Sequence, residues 1–202
     1  MYLIRPPKIY RWLFKEAVFR LNPSEKTVYL TFDDGPHPEA TPFVLSVLKS
    51  HSVKATFFVL GKNAEKHPDI VREIRAEGHQ VGNHGMNHLN GWNTSNSLYA
   101  EDVALGKAIS ASNLFRPAYG KLTRAQYKLL APTEKVVFWD VISGDFDEKT
   151  DSKTVVKNVL NNTRAGSVIV MHDSKKAMNN LSGSINEIIV KLKEKGYQFG
   201  VL

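Results

Sequence analysis

The residues with the greatest chemical potential in this sequence are two adjacent carboxylates. Asp33 and Asp34 directly follow an apolar run, and Gly35-Pro36 comes directly after them. Removing neighbouring carboxylates from water is costly unless a cation or a proton compensates them. The pair therefore indicates a metal site, a general base or both, although Asp-Gly-Pro is also common in solvated turns.

A pair of histidines, His84 and His88, offers the second part of a metal site. Four positions apart, they can meet on one side of a helical turn and present two imidazoles to one ion. Adding one carboxylate, Asp34 or Asp33, gives a set with positions open for water and substrate, as hydrolytic zinc requires. The same set could hold Fe, Co, Ni or Mn. Thiolate ligands are excluded because the sequence has no cysteine.

Four other histidines lack this arrangement, and we expect them on the surface or in loops: His37, His51, His67 and His79. Only His37 is close enough in sequence to the acids to be a candidate substrate contact.

Short apolar segments alternate with helical patterns and must position these side chains. Strands are predicted at 27–32, 55–60, 79–82, 114–115, 135–139, 167–171 and 197–201. Helices are predicted at 8–21, 42–50, 63–76, 97–111, 123–130, 152–162 and 184–195. Such alternation predicts an α/β fold, a distorted and incomplete (β/α) barrel of about seven parallel strands. A doubly wound open sheet is the alternative, but no glycine-rich phosphate loop follows the first strand.

Polar residues capable of chemistry closely follow the ends of successive predicted strands. In chain order they are Asp33 and Asp34, His84 and His88, Arg116 and Tyr119, Asp140 and Asp145, and His172 and Asp173. In a parallel barrel all such positions open on the same face. The spacing therefore predicts one shared site.

Length and composition suit one compact domain, with 202 residues of which 42% are hydrophobic. We expect residues 1–25 to form a helical segment that packs on a catalytic domain spanning 26–202. The net charge of +7 favours anionic surroundings. No nucleic-acid partner is expected, because the basic residues are scattered and form no known nucleic-acid module.

The N-terminus lacks the uninterrupted apolar core of a signal peptide, and no later run approaches a transmembrane segment. The expectation is a cytoplasmic monomer, with association with the cell envelope left open because a wall polymer would lie outside the membrane.

Five segments in order resemble the motifs of the NodB-type polysaccharide deacetylases, carbohydrate esterase family 4: Thr31–Gly35, His84–His88, Arg116–Gly120, Trp139–Phe146 and Val170–Asp173. The resemblance spans about residues 26–202. It implies a distorted (β/α) barrel and metal-dependent removal of acetyl groups from N-acetylglucosamine polymers such as peptidoglycan or chitooligosaccharides. An N-acetylated glycan is then the expected partner.

The resemblance also implies roles for individual residues. The metal, with zinc the first expectation, would be held by Asp34, His84 and His88. Asp33 would be the general base, kept ionised and oriented by Arg116, since an unligated carboxylate can accept a proton from the attacking water. His172 would be the general acid for the departing nitrogen, and the backbone N–H of Tyr119 would stabilise the oxyanion.

Two positions depart from the family's fourth motif. Ile142 replaces the first of its two aspartates, and Phe146 replaces its tryptophan. Asp145 matches the second aspartate and is the first candidate partner for His172, with Asp140 the weaker one. Phe146 and Val170 would offer apolar walls to an acetyl methyl group.

Two other functions stay open at the level of sequence. One is hydrolysis of a different amide or a cyclic imide. The other is a glycan-binding protein that keeps the metal site but catalyses weakly because of Ile142. A serine hydrolase is disfavoured because no Gly-x-Ser-x-Gly segment occurs.

Overall fold

The computed structural model, which describes residues 3–22 and 24–202, has strands and helices alternating through most of the chain. Its strands are β1 (Thr27–Asp33), β2 (Thr56–Val59), β3 (Gln80–Asn83), β4 (Leu114–Phe115), β5 (Lys135–Val136), β6 (Val141–Ile142), β7 (Val168–His172) and β8 (Gln198–Phe199). Its helices are α1 (Lys8–Leu13), α2 (Ala40–Ser50), α3 (Gly61–Lys66), α4 (Pro68–Ala76), α5 (Asn96–Ser110), α6 (Arg124–Leu130), α7 (Ser152–Asn162), α8 (Met178–Ser182) and α9 (Ile185–Glu194).

The strands form one curled parallel sheet in the order β5-β4-β3-β2-β1-β7-β6. The eighth strand, β8, pairs with the start of β1, at Thr27 and Val28. Within the described residues no strand pairing joins β5 to β6, so the barrel is incomplete. The predicted α/β class and incomplete parallel barrel are confirmed.

The core lies between the sheet and its surrounding helices. Strands β1, β2 and β7 are almost continuously buried, as expected for parallel strands covered on both faces. The rings of Phe32 and Phe57 stack across the β1–β2 pair with centroids 5.1 Å apart. No helix of the described chain is both long and apolar enough to cross a bilayer.

The N-terminal segment differs from the single helix expected at 8–21. Helix α1 ends at Leu13, and the chain then pairs with the sheet through an isolated bridge between Val18 and Val137. The ring of Phe19 stacks on Phe138 at 4.9 Å. Tertiary pairing and aromatic packing thus override the helical pattern. Residues 1, 2 and 23 of the expected segment 1–25 lie outside the described residues.

The single helix expected at 63–76 is two helices, α3 and α4, separated at His67. Pro68 begins α4, and the residue before a proline is disfavoured in the helical conformation. Accordingly, His67 has a non-helical backbone, with φ −131° and ψ 57°. The short strand β6 and the short helix α8 were not predicted, because neither is long enough to show a periodic pattern.

Candidate active site

The ends of neighbouring strands bring the candidate residues to one face of the sheet. Asp33, the last residue of β1, is in register with His172, the last residue of β7. His84 directly follows β3, and Arg116 directly follows β4. The prediction that these strand ends share one site is therefore consistent with the topology.

Asp34, His84 and His88 form a cluster able to hold a metal ion. One ligand atom from each lies within 4.8 Å of the others. Asp34 Oδ1 is 3.6 Å from His84 Nε2 and 3.2 Å from His88 Nε2. This oxygen is buried, and it has no hydrogen-bond partner in the described part of the chain. A buried, unpaired carboxylate oxygen facing two imidazole nitrogens fits a divalent cation.

The loop that carries the two histidines is irregular, so the helical turn expected for them is wrong. His88 has a left-handed backbone with φ 60°. The buried carboxylate of Asp102 accepts the N–H groups of Met86 and Asn87, each at 3.0 Å. These hydrogen bonds fix the loop, and they bring the imidazoles together without helical geometry.

Hydrogen bonds behind the cluster orient its ligands. Nδ1 of His84 lies 2.8 Å from the carbonyl oxygen of Arg116, which leaves Nε2 facing Asp34. Nδ1 of His88 lies 3.1 Å from the hydroxyl of Tyr119. Burial lowers the pKa of His84 and favours the neutral imidazole that a metal requires. Burial works toward protonation of Asp34, but the surrounding histidines hold its carboxyl pKa well below the usual range.

Asp33 and Arg116 form a buried ion pair beside this cluster. Arg116 Nη1 is 2.6 Å from Asp33 Oδ1 and also donates to Thr31 Oγ1 at 2.7 Å. The guanidinium is nearly inaccessible to water, packs 4.0 Å from the ring centroid of Phe58, and donates to the Phe138 carbonyl at 3.2 Å. With both partners hydrogen-bonded, the pair holds one Asp33 oxygen in a fixed position.

Asp145 supplies the carboxylate partner of His172. Asp145 Oδ1 lies 2.8 Å from His172 Nδ1, and Oδ2 accepts the backbone N–H of His172 at 2.7 Å. Burial works against protonation of His172, but Asp145, together with the charges of Asp34 and Asp33, outweighs it and raises the pKa of this imidazole to about 9. The weaker candidate, Asp140, instead accepts hydrogen bonds from the side chains of Arg164 and Arg5.

A cavity of about 700 Å³ unites these groups. Nine residues to which a role was assigned from the sequence line it: Asp33, Asp34, His84, His88, Arg116, Tyr119, Phe146, Val170 and His172. The ring of Phe146 meets that of His172 edge-on at 5.0 Å. Tyr119 has a left-handed backbone with φ 58°, a strained conformation for a residue other than glycine.

Other residues of the site were not assigned a role from the sequence. Asp173 stands at a predicted strand end, and its carboxylate accepts the N–H of Gly35 at 3.1 Å and the hydroxyl of Thr41 at 2.6 Å. Asp173 thereby fastens the loop that carries Asp34, and burial raises its pKa to about 8. The cavity is also lined by residues with no sequence signal, namely Leu3, Pro6, Pro7, Tyr10, Lys121 and Lys176.

Two histidines outside the cluster accept hydrogen bonds from backbone N–H groups. His37 does not line the cavity; its Nδ1 accepts the N–H groups of Glu39 and Ala40, each at 3.3 Å, at the start of α2. His79 lies in the loop before β3, one of the two expected positions, but it is buried there, and its Nδ1 accepts the N–H of Ala55 at 3.1 Å. Loop residues next to an apolar strand carry little sequence signal for burial.

Comparison with known proteins identifies the family. A family model described as polysaccharide deacetylase matches residues 20–133. The chain belongs to the polysaccharide deacetylase family. A peptidoglycan-N-acetylglucosamine deacetylase of Bacillus cereus is 39% identical over 204 residues, which cover 96% of this chain and 73% of that protein. A chitooligosaccharide deacetylase of Azorhizobium caulinodans is 32% identical over 167 residues, 76% of this chain and 77% of that protein.

The fold of this polysaccharide deacetylase is similar to that of a solved relative. The crystal structure of the Bc1960 peptidoglycan N-acetylglucosamine deacetylase, in complex with an N-hydroxybenzamide, matches it with a TM-score of 0.90 at 36% identity. The match covers 98% of this chain and 95% of that one, and so includes the fourth and fifth motifs, which lie beyond residue 133.

Proposed function

We propose that this chain is a metal-dependent hydrolase that removes acetyl groups from N-acetylglucosamine residues of peptidoglycan or a chitooligosaccharide. The observation that carries the proposal is the shared cavity, onto which the Asp34–His84–His88 cluster, the Asp33 carboxylate and the His172 imidazole all open. A metal site, a base and an acid together are what hydrolysis of an unactivated amide needs.

The metal ligands in this proposal are Asp34, His84 and His88, and zinc is the first candidate ion. Two imidazoles and one carboxylate suit zinc with coordination positions left open, although Co, Ni, Fe or Mn also accept such ligands. A bound ion supplies Lewis-acid chemistry, polarising the acetyl carbonyl and making a water molecule more acidic.

Asp33 accepts the proton of the attacking water. Its Oδ1 is engaged by Arg116 at 2.6 Å, which leaves Oδ2 as the oxygen for proton transfer. The hydrogen bond from Arg116 fixes the orientation of the Asp33 carboxylate.

His172 donates a proton to the departing glucosamine nitrogen, because an amine is a poor leaving group until it is protonated. Its raised pKa, about 9, keeps the imidazolium populated at neutral pH. The backbone N–H of Tyr119 stabilises the oxyanion, while Phe146 and Val170 pack against the acetyl methyl group.

A peptidoglycan substrate is favoured over an uncharged glycan by the basic side chains of the cavity. Lys121 and Lys176 line it, and the chain carries a net charge of +7. Peptidoglycan carries carboxylates, which such a rim attracts.

The weak-catalysis alternative depended on the absence of an acid at Ile142. In this structure the carboxylate beside His172 comes from Asp145, at 2.8 Å, so that reason no longer applies. The two alternatives, a different amide and glycan binding alone, become outcomes of the experiment below.

The test is acetate release from N-acetylchitopentaose and from peptidoglycan by metal-stripped protein, before and after addition of zinc or cobalt. We expect release to return with metal and to fall by about 10²- to 10⁴-fold in Asp33→Asn, which cannot accept the proton. Asp147→Asn, at a partly buried aspartate that does not line the cavity, is the matched control. Release of product from imides alone, or saturable sugar binding without release, would select one of the alternatives.

A further inference from the structure

The residues at 3–10 form one side of the active-site cavity, and we refer to them as the N-terminal wall. Four of them line the cavity together with the metal cluster: Leu3, Pro6, Pro7 and Tyr10. They lie before residue 20, where the match to the family model begins. The wall therefore lies outside the segment that the family model matches.

The wall is held to the barrel at several points. The carbonyl of Ile4 accepts the backbone N–H of Ile142, at the end of β6, at 2.9 Å. Tyr10 packs edge-on against Phe138 with centroids 5.9 Å apart and against Phe14 at 5.8 Å. These contacts give the wall a defined position beside the fourth motif.

A buried carboxylate, that of Asp140, joins the wall to the barrel. On the barrel side, Asp140 accepts hydrogen bonds from Arg164, at 2.7 and 2.9 Å, and from Ser167 at 2.8 Å. On the wall side it accepts from Arg5 at 2.9 Å and from Arg11 at 3.2 Å. Asp140 is 1% exposed, so its charge depends on these arginines for compensation.

We propose that the N-terminal wall is a subsite for a sugar ring next to the one that loses its acetyl group, and that Asp140 is the positioning residue that holds it. The inference rests on the proposed function. Proline and tyrosine rings present flat apolar surfaces, against which the C–H faces of a pyranose pack while its hydroxyls stay in water. Because the wall and the reaction centre share one cavity, a glycan placed with an acetamido group at Asp33 extends along the wall.

The first experiment compares two arginines that bind the same carboxylate from opposite sides. Arg5→Ala removes a contact from the wall, whereas Arg164→Ala removes one from the barrel. We expect Arg5→Ala to raise the KM for N-acetylchitopentaose by about fivefold with kcat retained, which corresponds to about 1 kcal/mol of binding. We expect Arg164→Ala to lower thermal stability and to raise KM by less than Arg5→Ala does, because Arg5 and Arg11 still hold Asp140 from the wall side. Arg5→Lys keeps a charge near Asp140 and should restore part of the wild-type KM.

The second experiment changes the surface of the wall without changing its hydrogen bonds to Asp140. Pro7 precedes α1 at its N-cap, where serine is a favourable residue, so Pro7→Ser preserves the helix while removing the ring from the cavity. Ile9→Ser is the matched control, since Ile9 is 53% exposed on the same helix and does not line the cavity. We expect Pro7→Ser alone to lower kcat/KM for the pentasaccharide, and to leave hydrolysis of 4-nitrophenyl acetate unchanged.

Wild-type KM values in both Arg5→Ala and Pro7→Ser would overturn the inference, and so would equal losses on the pentasaccharide and on the small ester. If the wild-type protein releases no acetate from any glycan, the proposed function fails. A calorimetric measurement of pentasaccharide binding then tests the subsite independently of catalysis. Weaker binding to Arg5→Ala than to Arg164→Ala supports it, and equal or absent binding rejects it.

Discussion

The Oδ1 atom of Asp145 lies 2.8 Å from Nδ1 of His172, and the other oxygen of the same carboxylate accepts the backbone N–H of His172 at 2.7 Å. With Asp145 the pKa of His172 is raised to about 9, so its acidic form persists until the pH rises through that value. In Asp145→Asn we expect this pKa to fall, and the alkaline limb of kcat to move to lower pH. The measurement is kcat for acetate release across neutral and alkaline pH.

The control for Asp145→Asn is Asp147→Asn. The carboxylate of Asp147 accepts the N–H of Lys149 at 3.0 Å on the exposed side of the same segment. An alkaline limb that is identical in the two variants would contradict the role of Asp145.

The buried pair of Arg116 and Asp33 predicts a strong energetic coupling. Arg116→Met leaves the Asp33 carboxylate buried without its cation, and we expect the free energy of unfolding to fall by about 3–5 kcal/mol. Adding Asp33→Asn removes the uncompensated charge, so the double variant should lose less than the sum of the two single losses. Urea denaturation of all four proteins gives the coupling.

An exposed pair in the same protein provides the comparison. Lys49 and Glu77 lie 3.0 Å apart, with the lysine side chain 74% exposed. Lys49→Met should cost less than about 1 kcal/mol, as is usual for surface pairs. Additive losses at Arg116 and Asp33 would contradict the coupled buried pair.

The positions of the catalytic candidates were predictable because each follows a strong local signal. An apolar strand precedes Asp33, another precedes His172, and strands of a parallel barrel end on one face. The conformation of the loops was not predictable in the same way. The histidines His84 and His88 meet in an irregular loop because of hydrogen bonds to Asp102, which lies on α5, 15 and 16 positions beyond its partners Asn87 and Met86.

Long-range partners also explain what the sequence did not predict at the N-terminus. The pattern at 8–21 is helical, yet Val18 pairs with Val137, and Arg5 reaches Asp140 across 135 positions of sequence. Periodicity reports which side chains share a face, but it does not report which distant segment will cover that face. The wall of the cavity could therefore be found only in the folded chain.

The side chain of Tyr119 predicts an effect on metal affinity that is separate from its backbone role. Its hydroxyl is 3.1 Å from Nδ1 of His88, and its ring centroid is 4.4 Å from that of the imidazole. Tyr119→Phe keeps the ring and the backbone N–H but removes the hydroxyl that orients the imidazole. We expect zinc affinity to fall by roughly tenfold, in the range known for partners of metal-bound histidines.

Competition with a chromogenic chelator measures this affinity directly, without reference to catalysis. Tyr197→Phe is the control, because its hydroxyl contacts the Thr163 carbonyl, at 3.5 Å, away from the cluster. Unchanged zinc affinity in Tyr119→Phe would show that the hydroxyl does not support His88.

His79 predicts a loss of stability in mild acid that is independent of the active site. Burial lowers its pKa to about 4, and its Nδ1 accepts the N–H of Ala55 at 3.1 Å, which a protonated ring cannot do. The unfolded chain binds this proton near pH 6.5, so the unfolded state gains protons first as the pH falls. The stabilisation of the folded state by neutral His79 is fully present above about pH 6.5 and is lost as the pH falls toward 4. The loss in the free energy of unfolding is on the order of 2 kcal/mol.

Urea denaturation at pH 7 and at pH 4.5 measures this loss, with His79→Gln as the test variant. Glutamine does not titrate, so the part of the acid destabilisation that belongs to His79 should disappear, even if the variant is less stable at pH 7. His51→Gln is the control, because His51 is bonded to Asn186 in an exposed position and its replacement should leave the pH dependence intact. Since the comparison is between slopes with pH, a general loss of stability in either variant does not obscure it. An equal pH dependence in wild type and His79→Gln would show that this imidazole is not the group that titrates.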